Sequence, residues 1–158
     1  MDELWAALQA SPVAAWARSA RWGYAALNGA HIVGIALLVG AMVPLNLVRI
    51  GAALGVGRIP AETAARLLVP FAGAGLVLAV GTGAVMFAAR AGEYAALGVV
   101  QAKLALVGAG TLIALALHAR HGRDMQRAGP RRTAAHAALS LVMWLTVLGL
   151  GRLIAFVG

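Results

Sequence analysis

Three side chains that can carry a positive charge, His31, Lys103 and Arg152, stand inside otherwise apolar stretches of the chain. Ionisable groups in such surroundings are costly, and they face a bundle interior or a water-filled cavity where they hold ions or polar ligands. At a helical rise of 1.5 Å per residue, His31 and Lys103 each lie about 7 Å, and Arg152 about 10 Å, from mid-span towards the side of the chain termini. Three segments thus bring cationic groups to one thin layer. Asn28, one turn from His31, and Gln101 and Tyr94 extend the set. Acids on that side are Asp2, Glu3 and Glu93, whereas Glu62 and Asp124 belong to the other. His31, Lys103, Arg152, Asn28, Gln101 and Tyr94 are therefore expected to line a pocket for a polar or anionic small molecule, a lipid headgroup or a quinone. The competing reading is snorkelling, in which the long stems of Lys103 and Arg152 carry their charges to the interface.

The histidines raise a second chemistry. A b-type haem needs two axial imidazoles at one depth, and the same rise separates His31 from His118 by about 23 Å. A haem held by His31 alone, with Lys103 or Arg152 at its propionates, stays open as an alternative. His118 and His136 share an end, but His136 and Arg152 stand about 160° apart on one helix. If Arg152 faces the bundle, His136 faces lipid. No H-x-x-H or E-x-x-H spacing falls within a helix, so no histidine metal site is expected. Ser140 and Thr146 lack a carboxylate-backed histidine and are expected to bond their own helix, so no catalytic set emerges.

The elements that must position these groups follow from composition. Of 158 residues 62% are hydrophobic and 11% charged, against roughly a quarter charged in soluble domains. Four stretches, about 22–48, 67–89, 97–119 and 133–157, meet the requirement of about 20 apolar residues for a membrane-spanning helix. The fold expected is all-α, a single membrane domain of four spans with a short interfacial helix over residues 1–10. Pro44 and Pro70 fall within spans. Small residues at Gly75-xxx-Ala79-xxx-Gly83, Ala36-xxx-Gly40 and Gly110-xxx-Ala114 suit close helix contact. The absence of cysteine removes disulfides, thiolate metal sites and cysteine nucleophiles.

A net charge of +8 in a soluble chain would suggest nucleic acid; here it sorts by side. Arg49, Arg58, Arg66, Arg120, Arg123, Arg127, Arg131 and Arg132 share one side, and Arg18, Arg21 and Arg90 the other. The positive-inside rule then places both termini outside, in the periplasm if this is a bacterial inner membrane. No folded basic groove supports nucleic-acid binding; the lipid bilayer is the partner expected, with a homo-oligomer or larger complex left open. With acidic Asp2 and Glu3 where a signal peptide carries positive charge, the first twenty residues are not expected to be one. Ser11-Pro12 reads as the cap and first residue of a second helix, and Trp5, Trp16, Trp22 and Tyr24 as interfacial aromatics.

With Ser11-Pro12 upstream, the run His31-Ile-Val-Gly-Ile-Ala-Leu-Leu-Val-Gly40 resembles a widespread bacterial family of uncharacterised four-span membrane proteins. Asn46-Leu-Val-Arg49-Ile-Gly51, Lys103-Leu104, His118, Leu139-Ser-Leu-Val-Met-Trp144 and Gly151-Arg152 carry the likeness along the chain. That family is distantly similar to the copper-resistance D and b-type cytochrome four-helix proteins. The resemblance implies the four-span fold and an important His31, and no particular activity. Such proteins often carry acids where this chain has Asn28 and Asn46, which weakens any proton-relay or metal reading. Three functions follow in order: a ligand-binding membrane protein, a haem b electron-transfer subunit, and a structural or accessory subunit without ligand.

Overall fold

The structure, a computed structural model, describes residues 2–122 and 125–157. The described residues form seven α-helices, one 3-10 turn and no strand. Four helices are long and apolar enough to cross a membrane: α3 (Gly23–Ala53), α4 (Ala61–Ala89), α6 (Gly98–His121) and α7 (Pro130–Val157). Three short ones, α1 (Asp2–Ala10), α2 (Pro12–Ser19) and α5 (Ala91–Ala96), sit at the end of the bundle that carries the termini. The protein is a multi-pass, all-α membrane protein.

The long helices overrun the apolar stretches that announce them. Helix α4 begins at Ala61, ahead of its apolar stretch, where the sequence Pro60-Ala-Glu62 suits a helix start: Pro60 sets up the first turn and Glu62 pairs with Arg66 one turn on. That acid also complements the positive end of the helix dipole. Helices α3 and α4 run through Pro44 and Pro70 without ending. The link expected between the second and third spans is itself helical, forming α5. Ser11 caps α2, its hydroxyl accepting from Ala14 N at 3.4 Å, with Pro12 as the first residue.

Adjacent long helices follow the order α4–α3–α7–α6, and α4 and α6 hardly touch. The tightest contact joins α3 to α4. A Cβ on Gly75 would stand 2.4 Å from Leu38 N, and one on Gly34 would stand 2.7 Å from Ala79 N. Backbones can approach this closely only where no side chain intervenes, which is how small residues replace the missing hydrophobic drive between helices in lipid. The Gly75–Ala79–Gly83 face thus packs within the chain, and its partner on α3 is Gly34. Ala36 and Gly40, expected to provide such a face, are exposed instead, and nothing lies within 4 Å of a Cβ on Gly40. Gly34 stands two residues before Ala36, 160° away around the helix at 100° per residue. On the other flank Gly110 of α6 receives Met143 and Trp144 of α7. Leu38, Met42, Trp144 and Val147 form the mid-bundle core, which Leu76 of α4 and Leu106 and Val107 of α6 also reach.

At the terminal end, Arg18 of α2 ties three elements together. Its guanidinium donates to Gln9 O at 2.7 Å and to Ala89 O at 3.1 Å, near the C-terminal ends of α1 and α4. Trp5 meets Phe87 edge-on at 5.8 Å, and Trp16 and Trp22 are exposed.

The two exposed-versus-buried glycine environments give a direct test. Gly75→Ala forces backbone against backbone and is expected to lower stability by about 1–3 kcal/mol, whereas Gly40→Ala should stay within about 0.5 kcal/mol. Reversible unfolding of both variants in mixed micelles checks this, and equal stabilities would contradict the close contact.

Candidate functional site

His31 projects from α3 onto α4. Its Nδ1 lies 2.9 Å from Ala79 O and 3.1 Å from Thr82 Oγ1. Thr82 donates its own hydroxyl proton to Leu78 O at 2.6 Å, so the proton towards Ala79 belongs to His31 Nδ1. In the neutral ring the lone pair is then on Nε2. Gly83 leaves room for the imidazole, since a Cβ there would come within 3.1 Å of His31 Cε1.

Lys103 extends from α6 across to α7, where a Cβ on Gly151 would stand 3.2 Å from its Nζ. Its charge is within reach of His31. The structure thus brings His31 and Lys103 into one region. Arg152 is not part of it: its side chain is exposed, and its guanidinium stacks 4.9 Å above the Phe156 ring on the outside of α7. Arg152, one residue after Lys103's neighbour Gly151, thus faces away from it around the helix. Asn28 is exposed, and Gln101, also exposed, donates to Ala95 O at 2.8 Å. Tyr94 is half-buried, with its hydroxyl 3.3 Å from that of Tyr24. Arg123 and Asp124 and the side chain of Asp2 lie outside the described residues.

A cavity of about 220 Å³ occupies the other half of the bundle, towards the basic loops. It fills the space that α4 and α6 leave by not packing together, and all four long helices line it. Its upper wall is apolar, with Leu38, Leu76, Ile113, Met143 and Trp144. Asn46, Arg49, His118, Thr133, His136 and Ser140 gather towards the basic end. Met125 closes that end from the loop; it is 4% exposed, and its φ of 60° places it in the left-handed region. A bulky side chain adopts that region at a cost of order 1 kcal/mol, so packing must hold it there. None of His31, Lys103, Arg152, Asn28, Gln101 or Tyr94 lines this cavity.

Among the described residues, Asn46 and Arg49 are the most deeply buried polar side chains, at 2% and 9% exposure. Their spacing of three puts them on one face of α3. The amide of Asn46 donates to Met42 Sδ at 2.7 Å and to Ser140 Oγ at 3.1 Å. Ser140 thus bridges α3 and α7 rather than bonding only its own helix, while Thr146 does bond Val142 O at 2.8 Å. His136 turns inward because Arg152, opposite it on α7, turns outward. Sequence reasoning treated Arg49 as a loop charge and passed over Asn46 as a ligand group. The signal was present in the spacing of a buried-type amide and a cation one turn apart.

No protein-family model, curated protein or solved structure matches this chain. The fold and cavity therefore define its class without a relative: a four-span membrane bundle with an internal polar-ended cavity.

The Asn46–Ser140 link should be measurable as a coupling. A double-mutant cycle of Asn46→Ala and Ser140→Ala is expected to give about 0.6–1.7 kcal/mol, the range for interhelical hydrogen bonds in membranes. Additive losses would show that the two side chains do not share a bond.

Proposed function

We propose that this protein binds one small amphiphilic molecule in the cavity between its four spans, with a polar or anionic head at Asn46, Arg49, His118 and His136 and an apolar body against Leu38, Leu76 and Trp144. The cavity itself carries this reading: an apolar chamber whose polar groups converge at one end is the form that ligand sites take. The Arg49 cation favours a head that accepts hydrogen bonds, since charge-assisted bonds are the stronger ones in low dielectric. The amide N–H groups of Asn46 go to Met42 and Ser140, which leaves its carbonyl oxygen for a donor on the same head. Positive-inside asymmetry supports a bacterial inner membrane with both termini periplasmic, which puts the polar end of the cavity on the cytoplasmic side.

The haem b reading keeps one supporting observation. An imidazole whose Nδ1–H is held by a backbone carbonyl, as in His31, presents Nε2 in the form that binds iron. The resemblance to b-type cytochrome four-helix proteins belongs with that reading.

An absorbance spectrum and native mass spectrometry of protein purified in mild detergent separate the two. A co-purifying chain amphiphile with no Soret band supports the cavity reading, and a Soret band supports haem. Titration then tests the head. Octanoate is expected to bind more tightly than octanol, and Arg49→Gln to reduce that preference about tenfold, the scale of one hydrogen bond to a charged group. Unchanged preference in the variant would remove Arg49 from the site.

A further inference from the structure

Resting on the cavity reading, the geometry points to a route: we infer that the occupant is a single-chain amphiphile that enters sideways from the hydrocarbon, through the gap between α4 and α6, and leaves its chain in that gap. Three observations carry this. First, α4 and α6 are the pair of neighbouring walls that do not pack together, and both line the cavity. The opening is therefore lateral, and on its α6 side Ile113 and Leu115, which line the cavity, are exposed apolar groups suited to lipid. Second, Gly73 lies on the α4 rim, exposed, lining the cavity, with nothing within 4 Å of where its Cβ would be. A glycine there keeps the gap open. Third, the aqueous end is floored by buried Met125 and Arg49.

Size agrees with this. The cavity, about 220 Å³, falls below the roughly 300 Å³ at which pockets enclosing a whole ligand begin. It accommodates a compact head and the first part of a chain. The remainder of a longer chain needs an apolar surrounding, and the gap supplies it directly. A water-soluble molecule of the same head chemistry would instead have to pass the floor.

Trp144, 6% exposed and on the cavity wall, is a built-in reporter. The other three tryptophans, Trp5, Trp16 and Trp22, are replaced by phenylalanine, and the protein is reconstituted in phosphatidylcholine vesicles. Bromostearate in the bilayer is then compared with water-soluble bromo-octanoate as a quencher of Trp144. Saturable quenching by bromostearate is expected. Gly73→Phe should raise the amount needed about tenfold by filling the gap, while Gly40→Phe, at an equally open site away from the cavity, should leave it unchanged. Melting curves confirm that both variants fold, and Gly73→Leu offers a smaller plug if the phenylalanine does not. If Gly73→Phe and Gly73→Leu leave quenching untouched, the lateral route is overturned. Saturable quenching by bromo-octanoate alone would also overturn it while sparing the cavity reading. Saturable quenching by neither probe would overturn both.

Discussion

Contact between the backbones of α3 and α4 is the constraint on which the rest of the bundle depends. Where Gly34 and Gly75 meet, the main chains stand closer than any side chain would permit. Lipid offers no hydrophobic force to press helices together, so close van der Waals contact must do it. Having fixed α4 against one side of α3, the fold sets α7 against another side of α3 and α6 against α7. The first and last helices of this series both reach the mid-bundle core, Leu76 from α4 and Leu106 and Val107 from α6, without packing against each other. The cavity lies between these two helices and runs from the core residues Leu38, Met42 and Trp144 to Arg49 and His136. It is a consequence of how four cylinders are joined rather than a hole cut in a packed core.

The polar groups divide into two layers with different degrees of completion. His31 is committed on its Nδ1 side to Ala79 and Thr82, and Lys103 lies in a slot that Gly151 provides. Both are held in shape by glycines on the opposing helix. In the second layer, Asn46 binds Ser140 across the α3–α7 interface, and Arg49 and His118 are each engaged as well. Interhelical bonds of this kind fix the rotation of α3 relative to α7. That rotation aims Asn46 into the space that α4 and α6 leave free. Stability and ligand chemistry therefore share residues here, and a variant at Asn46 acts on both.

Span number, helical class and the short helix α1 were legible because they rest on composition, length and the Ser11-Pro12 cap, which are local. The Gly75–Ala79–Gly83 face was legible for the same reason, as a spacing within one helix. Its partner was not: Gly34 and Gly40 are both glycines on α3, and only the crossing decides which meets α4. Depth likewise grouped His31, Lys103 and Arg152, since rise is a property of a single helix. The direction each side chain takes around its helix depends on the neighbours. Arg152 illustrates this, since one residue after the Gly151 that lies beneath Lys103 the chain already faces outward. The inward turn of His136 follows from the same rotation, and the sequence stated it only as a condition. The cavity had no local signature, because it comes from a contact that α4 and α6 do not make.

Arg18 holds α1 and α4 through main-chain carbonyls alone. A carbonyl is the same at every residue, so these two bonds do not depend on which side chains stand at positions 9 and 89. Packing makes the other demand: Ala14, Ala17, Ala89 and Ala91 are buried, and Trp5 rests on Phe87. The residues of α1 and α2 outside the clamp and these contacts can change, along with the surface they show to the membrane, without moving the helices off the bundle.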